Sequence, residues 1–269
     1  MAYKMICLDL DGTLLNKQNE LNQTDIDVLR KCLEKGIYVY IVTGRPYFFA
    51  RYIANQISPK VAVIASNGGS YEFNNQLIER PIDKTTLDEL IDLLASDDMH
   101  AFYKNAEEIY TSDAPDLRFI YDQYNGIEGF PHTVSFNNLS IEELKDKAQK
   151  VDKILVYNMD QDVLVKSRAK AINIKDLVIS SYNDISYDVN SKDTTKGAVI
   201  KLIAENLNIN TDDIIAYGDN QNDIPMFEVC GHTVAMENGH ELVKAIADEV
   251  TDDYLHAGVA KSLKKIFNF

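Results

Sequence analysis

Cysteine is scarce in this chain of 269 residues: Cys7, Cys32 and Cys230 are an odd number, and no two stand at a metal-binding spacing. That speaks against a disulfide framework or a thiolate metal site and predicts free thiols in a reducing cytoplasm. Positive charge is also in deficit. Lys and Arg number 27 against 42 Asp and Glu, a net charge of −15, which excludes the basic footprint that nucleic acid or an anionic membrane surface requires. The same field repels phosphorylated ligands, so a phosphate site needs cations of its own. No apolar run approaches the roughly 20 residues of a membrane span. The opening MAYKMICLDLDGT reaches charged residues after a short apolar run, without a secretory cleavage pattern. Internal repeats and low-complexity linkers are absent. What is present is globular composition, 45% hydrophobic and 26% charged, in a chain long enough for one large domain or two unequal ones.

Strands and helices alternate at both ends. Residues 4–10 form a short, nearly continuous apolar run, the pattern of a strand covered on both faces. Over 25–35, Ile26, Val28, Leu29, Cys32 and Leu33 recur at helical spacing, and Gly36 supplies a stop. Strands at 37–42 and 61–65 flank a helix at 47–56. Toward the other end, helices at 196–206, 223–230 and 241–246 alternate with strands at 213–217 and 233–235. This alternation predicts an α/β fold with a parallel sheet and right-handed crossovers. The middle reads differently: helix (87–95), short Tyr- and Phe-rich strands, helix (141–151), strand (153–158), helix (161–171) and strands at 177–181 and 185–189. The expected organisation is a core from 1–82 and 189–269, divided by an inserted α+β block at 83–188.

Four motifs carry chemistry. Asp9-Leu10-Asp11-Gly12-Thr13 follows the first strand, and ligands in open parallel sheets bind beyond the carboxyl ends of strands. Paired acids there divide labour, one holding a cation and the other handling protons. Thr43-Gly44-Arg45-Pro46 follows the second strand; a hydroxyl and backbone N–H groups at a helix start make an anion cradle. Lys196 opens a helix in Thr194-Thr195-Lys196-Gly197, and Gly218-Asp219-Asn220-Gln221-Asn222-Asp223 follows the strand at 213–217. Asp219 and Asp223, four apart, suit a hard, oxygen-ligated cation such as Mg²⁺. Each motif also has a plain structural explanation, as a helix cap or a solvated charge. Together they sum to a metal, a nucleophile and phosphate ligands.

In type and order these motifs resemble those of the haloacid dehalogenase superfamily of phosphohydrolases. The Asn67-Gly68-Gly69 segment and the large insertion after it resemble the Cof-type subfamily, which carries a C2 cap. The resemblance implies a Rossmann-like three-layer core with a parallel sheet plus the inserted α+β cap. It also implies an Mg²⁺-dependent phosphatase acting on small phosphorylated metabolites, sugar phosphates or related compounds. By the same resemblance Asp9 is the nucleophile and Asp11 the general acid and base. Thr43, Gly44, Lys196 and Asn222 hold the phosphoryl group. The metal is bound by Asp9, Asp219 and the backbone carbonyl of Asp11, with Asp223 a ligand or holding a metal-bound water. In the cap, Tyr103, Tyr110, Tyr121, Tyr124, Tyr182 and the basic Arg118 suit a sugar surface, but Tyr in short strands is more often half-buried packing. The competing readings are a phosphomutase on the same core and a non-catalytic phospho-ligand sensor. The expected assembly is a monomer or a weak homodimer.

Overall fold

The computed structural model describes residues 3–112, 136–183 and 185–269. Its centre is β1 (Met5–Leu8), four buried residues whose side chains alternate between two apolar cores. β1 pairs in parallel with β2 (Tyr38–Val42) on one side and β12 (Ile214–Gly218) on the other. Beyond β2 lies parallel β3 (Ala62–Ala65), then an antiparallel hairpin of β4 (Ser70–Phe73) and β5 (Gln76–Glu79). Beyond β12 lie β13 (His232–Met236) and β14 (Glu249–Thr251), both parallel.

Helices cover both faces of this sheet. α1 (Gln23–Glu34), α2 (Tyr47–Ile57) and α9 (Gly258–Phe267) bury Leu29, Ile53 and Leu263 with Ile6 and Leu8. On the other face α6 (Lys196–Leu207), α7 (Ile224–Phe227) and α8 (Glu241–Ile246) bury Ile203, Met226 and Val243 with Met5 and Cys7. The result is the three-layer α/β fold that the strand–helix alternation predicts.

A second, largely antiparallel sheet follows the hairpin. Its strands are β6 (His100–Lys104), β7 (Ile109–Thr111), β8 (Phe136–Asn138), β9 (Lys153–Tyr157), β10 (Leu177–Asn183) and β11 (Ser186–Ser191), in the order β10-β11-β9-β6-β7-β8. α3 (Lys84–Ser96), α4 (Ile141–Lys147) and α5 (Gln161–Ala171) cover one face, where Leu90, Leu144 and Leu164 pack on Tyr103, Ile154 and Tyr187. Strand alternation puts Phe102, Lys104, Lys153, Leu155, Asp188 and Asn190 on the opposite face. Phe102 and Leu155 there join the core of the first sheet.

Several expected boundaries move, each for a local reason. β11 runs on to Ser191, two residues past the strand expected at 185–189, and Val189 and Asn190 still pair with β9. The helix expected at 141–151 ends at Lys147; left-handed Lys150 (φ 56°) then turns Val151 into the core. In place of a helix over 223–230 there is a 3₁₀ turn, Gln221–Asp223, followed by the single turn of α7. The β4–β5 hairpin, β14 and α9 are additions to the expected elements; Asn74 and Asn75, both left-handed (φ 50° and 61°), make the tight hairpin turn. Tyr103 and Tyr110 pack in the helix-facing core of the second sheet. Arg118, Tyr121 and Tyr124, and the side chain of Tyr182, lie outside the described residues. No described helix is long and apolar enough to cross a membrane.

A buried carboxylate fastens the C-terminal helix. Asp25 Oδ1 accepts from the Ala260 N–H at 2.7 Å, and its Oδ2 has no partner among the described residues. Burial pushes the Asp25 carboxyl from 3.8 up to about 6, only partly opposed by Ala260 and Lys264. A carboxyl raised in the folded state destabilises the fold once ionised, so this contribution is lost as pH rises from about 4 to 6. Asp25→Asn keeps an acceptor and removes the charge. Denaturant titration should show Asp25→Asn equal to the parent near pH 4 and more stable at pH 8, by at most about 3 kcal/mol.

Candidate active site

Three strands end at one place. β1 delivers Asp9, and the next residues turn sharply: the Leu14 and Leu15 N–H groups both donate to Leu10 O. Gly12 makes this turn at φ +84°, where a Cβ would lie 2.4 Å from Asp219 Oδ2. The bare glycine therefore lets the loops after β1 and β12 approach each other. Asp219 follows β12, in a loop held by Asp223, whose Oδ2 accepts from the Asp219 and Asn220 N–H groups at 2.9 and 3.0 Å. This capping replaces the expected helix with the 3₁₀ turn and leaves Asp223 Oδ1 facing inward.

Lys196, at the first position of α6, reaches between the two loops. Its Nζ lies 2.5 Å from Asp9 Oδ1 and 2.6 Å from Asp223 Oδ1, with its side chain fully buried. Burial alone would pull this ammonium down; Asp223 and Asp9 outweigh it and hold it above its ordinary value. The carboxylates are crowded in turn. One ligand oxygen from each of Asp9, Asp219 and Asp223 falls within 4.8 Å of the others. Burial, then the negative charge of Asp223, pushes Asp219 up to about 7. Burial likewise raises Asp9 well above its ordinary value, opposed by Lys196 and reinforced by Asp223, Asp219 and Asp11. Crowded carboxylates of this kind call for a second cation.

Thr43 and Gly44 stand at the end of β2. Thr43 is buried, and its Oγ1 accepts from the Arg45 N–H at 3.1 Å, which leaves its own proton to donate. Asp11 does not join the three-carboxylate cluster through its side chain. Arg45 grips it in a two-bond fork, Nε to Oδ2 at 2.9 Å and Nη2 to Oδ1 at 2.5 Å, while the guanidinium lies 4.6 Å from the centre of the Phe49 ring. Burial would raise the Asp11 carboxyl, but Arg45 prevails and holds it below the usual range. Asn222 sits half-buried in the 3₁₀ turn, and no bond ties it to Asp9, Thr43 or Lys196 among the described residues.

The second sheet supplies residues that the sequence reading passes over. Lys153 Nζ donates to Gly44 O at 2.9 Å and pairs with Asp188 Oδ2 at 2.6 Å. Asn67 Nδ2 donates to Asp188 Oδ2 at 3.1 Å. Asn190 Nδ2 donates to Ser66 O and Asp152 O, each at 2.8 Å, tying β11 to the end of β3. The available signal was parity: Lys153, Asp188 and Asn190 fall on the side of their strands opposite to the helix-facing apolar residues.

Comparison with known proteins decides the family. The profile of haloacid dehalogenase-like hydrolases matches residues 6–263. The chain belongs to this family. Its curated relatives include two Bacillus subtilis (strain 168) proteins. One, 5-amino-6-(5-phospho-D-ribitylamino)uracil phosphatase YwtE, is 27% identical over 98% of both chains. The other, phosphatase YwpJ, is 28% identical over 98% of this chain and 99% of its own. Among solved structures, a haloacid dehalogenase-like hydrolase from B. subtilis superposes with a TM-score of 0.85 at 27% identity, covering 97% of this chain and 99% of that one. A second, from Bacteroides thetaiotaomicron and analysed among phosphatases of the haloalkanoate (HAD) enzyme superfamily, gives 0.84 at 26% identity, covering 100% and 96%.

The Arg45 fork makes a direct prediction for this family member. Arg45→Met should let the Asp11 carboxyl rise, because burial is then opposed only by the weaker pull of Lys196 and Lys153. Carbon-13 NMR titration of labelled aspartate, with Asp11 assigned by difference from Asp11→Asn, should show an upward displacement. An unmoved Asp11 would show that the fork does not control its ionisation.

Proposed function

We propose that this protein is an Mg²⁺-dependent phosphatase that hydrolyses small phosphate monoesters of sugars or polyols through an aspartyl-phosphate on Asp9. The observation that carries this reading is the buried Lys196 ammonium, bridging Asp9 and Asp223 beside a cluster of three carboxylates. A carboxylate attacking a phosphate dianion faces strong repulsion, and such an arrangement relieves it. Three B. subtilis relatives, 25–27% identical over nearly the whole chain, are named 5-amino-6-(5-phospho-D-ribitylamino)uracil phosphatases, which supports a polyol phosphate as the substrate class.

The donor set fits Mg²⁺, being hard oxygens without His or Cys. Asp9, Asp219 and Asp223 would hold the ion together with the Asp11 backbone carbonyl, and it would neutralise charge that builds on the phosphoryl group. Asp9 attacks phosphorus as the ester P–O bond breaks, while Asp11 gives its proton to the departing oxygen. Asp11 then takes a proton from the water whose oxygen attacks phosphorus; the Asp9–phosphorus bond breaks and inorganic phosphate leaves. Thr43 Oγ1, Gly44, Lys196 and Asn222 hold the phosphoryl oxygens. Because Asp11 needs a proton for the first step, its bonds to Arg45 must open when substrate enters. The block at 83–188 acts as the cap that shuts water out of this site. The free thiols of Cys7, Cys32 and Cys230 suit a cytoplasmic setting.

The two acids of the first motif should fail differently. Asp9→Asn should form no phospho-enzyme from any substrate. Asp11→Asn should form it from an activated aryl phosphate, whose leaving group departs without a proton, and then stall. Rapid quench with labelled aryl phosphate should show a burst for Asp11→Asn and none for Asp9→Asn; a burst from both would place the nucleophile elsewhere.

Chelation gives a second test. Turnover should vanish in excess EDTA and return with Mg²⁺, and Asp219→Ala should abolish metal binding in calorimetric titration together with turnover. Full activity after metal stripping would overturn the metal assignment.

A further inference from the structure

Close to Gly44, where the second sheet faces the first, lies a group of polar side chains that the hydrolytic steps do not use. Lys104 and Lys153 are register partners on β6 and β9, so they stand side by side on the face turned toward the first sheet. Lys104, Lys153, Asp188 and Asn67 are 4%, 4%, 2% and 6% exposed, and Asn67 Oδ1 and Asp188 Oδ1 are closed to solvent. Lys153 already serves Asp188 and Gly44 O. Lys104 makes no ion pair among the described residues, and its Nζ, unlike Asn67 Oδ1 and Asp188 Oδ1, keeps a little exposure. Two acceptors of this group are buried and unpaired among the described residues, Asn67 Oδ1 and Asp188 Oδ1. A Cβ on Gly44 would come within 3.1 Å of both Asn67 Oδ1 and Lys153 Nζ. The missing side chain therefore lets Asn67 and Lys153 approach the Gly44 backbone closely, one residue from Thr43.

The donor and acceptor inventory selects the chemistry of an occupant. A second anion on the substrate would satisfy Lys104 but leave Asn67 Oδ1 unbonded and face the Asp188 carboxylate. A cation would satisfy the acceptors but face two lysines. Hydroxyl groups, which both donate and accept, satisfy both sets at once. Burial, and after it the Lys153 ammonium, also pull Lys104 down to about 7, which favours a neutral partner.

We propose that Lys104, Lys153, Asp188 and Asn67 form the subsite that reads hydroxyl groups on the leaving group, selecting phosphate monoesters of polyols over those of apolar alcohols. This assignment rests on the phosphatase reading above and names its specificity residues.

The test compares D-ribitol 5-phosphate with n-pentyl phosphate, which has the same carbon chain without the hydroxyls. The wild-type protein should prefer the ribitol ester in kcat/KM by on the order of 10²-fold or more, since sites built around substrate hydroxyls reject analogues that lack them. Lys104→Met and Asp188→Asn should each shrink that ratio about 10-fold, with Lys104→Gln retaining more of it than Lys104→Met. Should Lys104→Met fail to fold by thermal melting, Lys104→Gln and Asp188→Asn decide. A wild-type ratio within about threefold, or variants that slow both esters alike, overturns the subsite while leaving the phosphatase reading intact. Release of phosphate from neither ester, and no phospho-enzyme from an aryl phosphate, overturns both.

Discussion

Burying the Lys196 ammonium would cost several kcal/mol if it stood alone, and two carboxylates from different strands offset that cost. Much of the surrounding structure serves this contact. Asp9 must end β1 and Asp223 must turn back after β12, so the parallel register Met5↔Ile214 that runs to Leu8↔Tyr217 fixes their separation. Gly197 lets the start of α6 lie against α7, since a Cβ there would fall 1.9 Å from Pro225 O. Gly218 performs the same service for Asp223, which a Cβ would meet at 2.6 Å. Withdrawing one partner from a buried pair of this kind typically costs about 3–5 kcal/mol. The charges of the candidate site are thus also structural members of the core.

The second sheet is joined to this centre by polar rather than apolar contacts near the site. Lys153 holds Gly44 O, and Asn190 holds Ser66 O, so the backbone after β2 and β3 is clamped from the opposite side. Farther out, Phe102 and Leu155 extend the apolar core of the first sheet. Directional bonds lie beside the candidate site, where they fix geometry, and non-directional packing supplies adhesion elsewhere.

The centre of the fold was legible in the amino-acid order because β1, β2, β3 and β12 are apolar runs with chemistry-bearing residues immediately after them. Asp9, Asp219, Asp223, Lys196 and Thr43 could be singled out for the same reason, as each sits where a strand ends or a helix begins. What escaped depends on pairing between distant segments. Lys153 looks like an ordinary strand-edge charge until β9 is set against β6 and β11. Arg45 was visible inside its motif, but its hold on Asp11 needs the loop after β1 folded beside α2. The helix expected over 223–230 failed because Asp223 is committed to loop N–H groups and Pro225 follows at once, so the first turn is 3₁₀. The β4–β5 hairpin was signalled only by Asn74-Asn75, a dipeptide equally at home in any loop.

The strand β11 leaves the second sheet at Ser191, and Lys196 opens α6 only five positions later. Thr194 Oγ1 bonds back to Ser191 O, and Thr195 caps the helix through Ala198 N. The connector is therefore a short, stiff strap between the end of β11 and the buried cation that opens α6. Its chemistry is constrained in part, since Lys192 lies 4.0 Å from Asp176, Asp193 is left-handed at φ 63° and Thr194 is buried; its length is constrained throughout. Among natural descendants of this chain, substitutions should accumulate at exposed Lys192 more readily than at Asp193, Thr194 or Thr195, while insertions and deletions are purged. A single added residue would shift the phase of α6 by about 100° and carry the ammonium out of the carboxylates' reach.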